Sequence, residues 1–319
     1  MTVQNRAANT LISICANAGE NENILIVTDN ASQEIAQLIW NTAEHFPNKT
    51  MMRMNDRIMH GNEPPRTVAA AMMAADVIFG VTKFSMLHTA ARRNAVANGA
   101  RFVNMPDYSP TMFESGGLFA DFVEQGKLMD RVSDILEGES IRIATAKGTD
   151  FTASIKNRKT TRQYGRSLTP GTSSSPPDIE TALAPVEGTS NGTIVIDGSI
   201  PHPRIGKLKE TITLSIVNGR IAEIEGGNEA DILKGVMQSF NDEMVYHIGE
   251  IGIGFNDQST ICNIMLEDEG AMGTAHFGFG SNISFGGVIE SNNHLDMVYY
   301  SPTIVVDNRS VMREGQPAL

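Results

Sequence analysis

At 319 residues, 41% hydrophobic and 19% charged, the chain is long enough for two domains of ~150 residues and has the composition of a globular protein. A formal net charge of −12 argues against a nucleic-acid partner, which needs a basic face, and no apolar run approaches the ~18 residues of a membrane-spanning helix. Two cysteines far apart, Cys15 and Cys262, form no disulfide framework. With no signal-peptide core at the N-terminus, they point to the cytoplasm.

Residues 3–17 read as a helix with Ala7, Leu11, Ile14 and Cys15 on one stripe. A buried strand over 23–29, a helix over 31–46, a strand over 49–55 and a helix over 66–75 follow. Next come a strand over 76–82, a helix over 85–99, a strand over 100–106 and a helix over 117–138. Strands alternating with amphipathic helices predict an α/β domain with an open, mainly parallel sheet. Neither a GxGxxG nor a GxxxxGK fingerprint occurs at its strand ends. Such sheets still bind ligands at the carboxyl ends of their strands. The turn GVTKFS therefore makes Thr82, Ser85 and His88 candidates for ligand contact.

Composition changes near residue 140. Residues 141–155 read as a hairpin with a glycine turn, and 157–178, basic and then Ser/Pro-rich without periodicity, as a linker or mobile loop. The remainder is strand-rich, with a hairpin turn at Asn218–Gly219 and one helix over 228–243 capped by Asn228. The predicted organisation is thus an α/β domain at 1–156, a connection at 157–178, and an α+β, β-rich metal-binding domain at 179–319.

The chemistry concentrates between residues 250 and 296. His294 and Asp296 are two apart on an extended segment, which puts both side chains on one face. With His276 in GTAHFGFG they offer two imidazoles and a carboxylate, the ligand set of an open iron(II) or zinc site. Glu250, followed by alternating apolar residues, is placed to add a second carboxylate. Glycines 273, 278, 280, 286 and 287 allow close approach of backbone. The acidic run Glu267–Asp268–Glu269 reads as an exposed turn.

The order Glu180, Glu250, His276, His294-Leu-Asp296, with DIETALAPVEGTSNGTIVID, GEIGIGFN and GTAHFGFGSN around it, resembles the M29 metalloaminopeptidases and their relatives, the 2,5-dihydroxypyridine 5,6-dioxygenases. The peptidase resemblance implies two zinc or cobalt ions held by Glu180, Glu250, His276, His294, Asp296 and a tyrosine, in a site that hydrolyses peptides. The tyrosine would fall at Ile283, which cannot ligate. The dioxygenase resemblance implies one iron(II) held by His276, His294 and Asp296, with a small aromatic substrate and dioxygen as partners. Glu180 or His88 would then be the base and Thr82 and Ser85 would contact substrate, in a homo-oligomer. Glu187 is the neighbouring alternative to Glu180.

Overall fold

In the computed structural model, which describes residues 2–319, every position of the strands Ile24–Thr28, Val77–Thr82 and Arg101–Pro106 is buried. Strands without a polar face belong inside a sheet covered on both sides. That sheet runs Lys49–Arg53, Ile24–Thr28, Val77–Thr82, Arg101–Pro106, Ser173–Ser174, with every pair parallel. The helices Arg66–Met73 and Ala90–Ala97 cover one face, where Val68, Met72, Ala91 and Ala95 pack on Leu25, Val27, Ile78 and Phe102. Gly80 is required there, since a Cβ on it would come within 2.6 Å of the Phe102 ring.

Two helices of this unit differ from their sequence patterns. The first is α-helical over Val3–Asn9 and then widens to a π-helix over Thr10–Cys15. The helix predicted from residue 85 starts at Ala90, because Thr89 caps it and the Glu63 carboxylate accepts the Ala90 and Ala91 amides. His88 therefore lies in the preceding turn, outside the helix.

The second unit is built on antiparallel sheet. Its eight-stranded sheet runs Arg220–Gly226, Ile212–Val217, Asn191–Ile196, Asp150–Ser154, Ser140–Ala144, Thr303–Val306, Arg309–Arg313, Gln316–Pro317. Its seven-stranded sheet runs Gly206–Lys207, Ser199–Ile200, His294–Tyr300, Thr274–Gly280, Ile248–Gly254, Glu180–Leu183, Thr161–Gln163. Asn218 and Gly219 both take positive φ (50° and 79°), as a two-residue hairpin turn demands. The helix after it is shorter than its pattern, Asn228–Ser239, with Gly227 rather than Asn228 at the cap.

The division between units falls elsewhere than composition suggests. One unit runs to Phe122 and takes in Gln163–Pro177; the other comprises Val123–Arg162 and Asp178–Leu319. The hairpin at 140–154 joins the eight-stranded sheet, while Ser173–Ser174 pairs with Phe102 and Val103 of the parallel sheet. The stretch 157–178 is thus a working part of the fold, giving Thr161–Gln163 to the seven-stranded sheet and Ser173–Ser174 to the parallel one.

The two antiparallel sheets meet through aromatic side chains. Phe151 of one stands edge-on to Phe277 of the other at 5.0 Å, and Phe277 stacks on Tyr299 at 5.0 Å. All three rings are fully buried. Phe277→Ala is expected to cost about 3–5 kcal/mol, read as a lowered urea midpoint.

Candidate metal centre

Four neighbouring strands of the seven-stranded sheet, Glu180–Leu183, Ile248–Gly254, Thr274–Gly280 and His294–Tyr300, carry the site. Their register sets Gly254 opposite Glu180, Gly252 opposite His276, and Gly278 opposite both Glu250 and Asp296. Side chains alternate between faces along a strand. Glu180, Glu250, His276, His294 and Asp296 therefore share one face, and Ile251, Ile253, Phe277, Phe279 and Met297 line the other. The glycines between them keep the first face open. A Cβ on Gly252 would overlap the His276 imidazole, and one on Gly278 would overlap His294 and stand 2.8 Å from Glu250 Cβ.

The ligand atoms form two overlapping groups, Glu180–Glu250–His276 and Glu250–His294–Asp296, each spanning no more than 4.8 Å. His276 Nε2 lies 3.5 Å from Glu180 Oε2 and 3.5 Å from Glu250 Oε1. His294 Nε2 lies 2.8 Å from Glu250 Oε2 and 3.0 Å from Asp296 Oδ1. The set of two histidines and one aspartate is thus spread over both groups, with Glu250 as the shared member.

The arrangement fits a cation. His294 Nδ1 is 2.8 Å from the Ser281 carbonyl oxygen. A carbonyl only accepts, so Nδ1 carries the proton and Nε2 turns its lone pair toward two carboxylate oxygens. Lone pairs facing one another in a buried site require a positive charge between them, either a second proton or a metal ion. Buried Glu180 Oε2 has no hydrogen-bond partner among the described residues, which leaves a ligand atom free.

Two more carboxyls join this cluster that the sequence did not single out. Asp178 is 5% exposed and Glu269 8%, and the charges of Glu269 and Asp296 act on each other. The run Glu267–Asp268–Glu269 is accordingly buried, not the exposed turn its composition predicts. Asp268 is occupied structurally, accepting from Ser199 Oγ at 2.6 Å and from the Cys262 and Asn263 amides at 2.7 and 3.1 Å. Asp178 is hard to find because it closes a Ser/Pro-rich stretch. Its burial depends on Gly270, where a Cβ would come within 2.9 Å of Asp178 Oδ1.

So many acids in one place shift their titration. Burial, with the neighbouring carboxylates, pushes Asp178 and Glu269 well above the usual carboxylate range. Burial pushes Glu180 up to about 7 despite His276 beside it. Burial opposes charging His276, but the hydrogen bond to Glu250 and the charges of Glu180, Glu250 and Asp296 outweigh it and raise its pKa to about 9. His294 is raised against burial in the same way, chiefly by Asp296. A histidine raised on folding contributes stability in full below its ordinary 6.5 and loses it as pH climbs through about 9. The raised carboxyls act in the same direction. Metal-free protein is therefore expected to melt progressively lower between pH 6.5 and 9, and a bound divalent ion to flatten that decline. Melting curves of chelator-treated and metal-loaded protein across this range check it.

Glu187, the alternative to Glu180, lies in another network. It pairs with Arg158 and accepts from Asn282 Nδ2 at 3.0 Å and the Val288 amide at 2.9 Å. Ile283 is 52% exposed on the loop nearby. Thr82, Ser85 and His88 belong to the first unit. Thr82 is buried and donates to the Phe84 carbonyl at 2.8 Å; Ser85 is buried and donates to Asn104 Oδ1 at 3.2 Å. His88 is exposed. Among the described residues no helix is long and apolar enough to cross a membrane.

Comparison with known proteins bears on this cluster. The family model described as 2,5-dihydroxypyridine 5,6-dioxygenase (NicX) matches residues 6–318. A 2,5-dihydroxypyridine 5,6-dioxygenase of Pseudomonas putida is 27% identical over 258 residues, covering 77% of this chain and 71% of the relative. The solved structure of that name from Pseudomonas putida KT2440 superposes with a TM-score of 0.83 at 20% identity, covering 100% of this chain and 98% of the other. AmpT from Thermus thermophilus shares the fold, with a TM-score of 0.68 at 11% identity and 99% coverage of both chains. With a match running almost end to end, and a parallel α/β unit followed by an antiparallel unit as the sequence predicts, this chain belongs to the 2,5-dihydroxypyridine 5,6-dioxygenase family.

Proposed function

We propose that the protein is a metal-dependent, ring-cleaving dioxygenase of a small hydroxylated pyridine, with 2,5-dihydroxypyridine and dioxygen as its first candidate substrates. Family membership supports the reaction class, and one structural observation carries the site: His294 Nε2 turned toward Glu250 and Asp296 on a glycine-lined sheet face. Iron(II) is the metal we propose, with zinc or cobalt as alternatives, held by ligands drawn from Glu250, His276, His294 and Asp296. When bound, such an ion would supply Lewis acidity and, as iron, one-electron chemistry toward dioxygen.

The protein's own residues divide the remaining tasks. His294 and Asp296 have side-chain exposures of 24% and 14%, against 2% for both His276 and Glu250. This supports the Glu250–His294–Asp296 group as the one that meets substrate. Glu180, with its pKa near 7, is poised to take the proton of a substrate hydroxyl at neutral pH. His88 is the alternative base. Partial desolvation of its ring, with the charges of Arg92 and Arg93, lowers its pKa and favours the neutral, proton-accepting form. Thr82 and Ser85 already donate within their unit, so toward a substrate their hydroxyl oxygens would act as acceptors. A cytoplasmic homo-oligomer completes the proposal.

A second reading concerns the number of ions. Two ligand groups sharing Glu250 favour a reading in which two cations would be held, one by Glu180, Glu250 and His276 and the other by Glu250, His294 and Asp296. Metal analysis of anaerobically purified protein separates the two: one iron per chain supports the mononuclear reading, two ions the dinuclear one. Oxygen uptake with 2,5-dihydroxypyridine after anaerobic iron loading, run beside leucyl-anilide hydrolysis after zinc or cobalt loading, tests the reaction. Hydrolysis without oxygen uptake would reject the dioxygenase.

A further inference from the structure

The segment after strand Thr274–Gly280 is a loop organised around its own buried residue. Asn282 is fully buried. Its Nδ2 donates to Glu187 Oε1 at 3.0 Å and its Oδ1 accepts the Ile289 amide at 2.6 Å. Its backbone closes the loop from both sides, donating to the Ile289 carbonyl and accepting from the Gly287 amide at 3.0 Å. Gly287 has to be glycine, because a Cβ there would overlap the Asn282 amide. Outside the loop, Arg158 donates to the Gly286 carbonyl and pairs with Glu187, whose Oε1 also accepts the Val288 amide. The Arg158 and Glu187 side chains are only 13% and 26% exposed. A two-sided clamp of this kind is a large investment in holding eight loop residues still.

What the clamp holds is Phe285. Its ring lies 5.5 Å from the His294 imidazole, tilted by 32°. The same histidine is fixed on its other nitrogen by Ser281, at the stem of the loop. Solvent reaches the cluster at His294 and Asp296, so an incoming molecule arrives where Phe285 stands. Ile283 and Val288, 52% and 74% exposed, make the loop's outer surface apolar. A flat, apolar-faced, weakly polar ring suits that lip better than a charged or extended ligand.

We propose that the 282–289 loop is a ring platform, with Phe285 receiving the face of an aromatic substrate beside His294 and the Arg158–Glu187–Asn282 network holding it there. This rests on the function proposed above. Phe285 sets specificity by contact, while Glu187 is a positioning residue acting through the loop.

The test has two arms. In the first, hydrogen–deuterium exchange of the metal-loaded protein compares wild type with Glu187→Ala. Exchange at the Val288 and Ile289 amides is expected to quicken about tenfold or more, with the strands Thr274–Gly280 and His294–Tyr300 unchanged. Unaltered exchange in the loop would overturn the clamp. In the second, iron-loaded protein is titrated anaerobically with 2,5-dihydroxypyridine. Phe285→Leu is expected to bind about three- to tenfold more weakly with unchanged iron content, and Phe285→Tyr to restore binding. Equal affinity in wild type and Phe285→Leu would overturn the platform alone. No binding to wild type would instead overturn the function on which it rests.

Discussion

Glu250→Gln is expected to empty both ligand groups at once. The substitution keeps the side chain's volume and one acceptor oxygen but removes the charge that His276 and His294 face together, with Oε1 3.5 Å from one and Oε2 2.8 Å from the other. Loss of a partner that merely orients a metal ligand costs about 10–100-fold in metal affinity, and a residue shared by both groups should exceed that range. Activity is expected to fall with metal content, by more than about 100-fold. The fold should persist, because the variant carries one fewer negative charge in a cluster already crowded with Asp178, Glu180, Glu269 and Asp296. Metal analysis and thermal melting of the same preparation check both halves. A variant that retained full metal would remove Glu250 from the site.

Gly252→Ala should do comparable damage without touching any ionisable group. The added methyl would occupy the space of the His276 ring, which is itself 2% exposed and boxed in by the neighbouring strands. The ring has to move by something like an ångström, and displacements of that size cost on the order of 100-fold in a catalytic constellation. The opposite face of the strand, with Ile251 and Ile253, is unchanged, so stability should fall by less than activity. The measurement is kcat/KM beside the urea midpoint. A parallel loss of both would mean that the glycine serves the fold rather than the site.

The strand carrying Gly252 also shows why so much of the site could be read without a structure. In GEIGIGF the apolar residues are Ile251, Ile253 and Phe255, and Glu250 stands on the glycine side. The alternation that marks a strand thus also says which side chains share a face. His294 and Asp296 follow the same rule. Asp178 and Glu269 obey no such local pattern. Their burial comes from the approach of residue 270 to residue 178, distant in sequence, and a lone acid in a polar run reads as solvated until that contact is known. Ser173–Ser174 escaped for a related reason, since a two-residue strand at a sheet edge has no periodicity to detect. The π-helical turn at Thr10–Cys15 buries Leu11, Ile12 and Cys15 and leaves Ile14 42% exposed, so the widening takes Ile14 off the stripe that ordinary helical spacing assigns to it.

Placing reactive groups and packing groups on opposite faces of the same four strands has a consequence for how such a protein can change. Deleting one residue within Thr274–Gly280 would turn His276 into the aromatic layer and bring Phe277 among the carboxylates, so a single frame error would ruin chemistry and packing together. The connection from Ser281 to Asn293 carries no such parity, because its ends are fixed by the pairing of Gly280 with His294 and its interior is not counted by the sheet. A length change there would leave the carboxylate–histidine face in register and fall instead on the 282–289 clamp and on Phe285. Changes to the lip and changes to the cluster would thus come from different stretches of the chain.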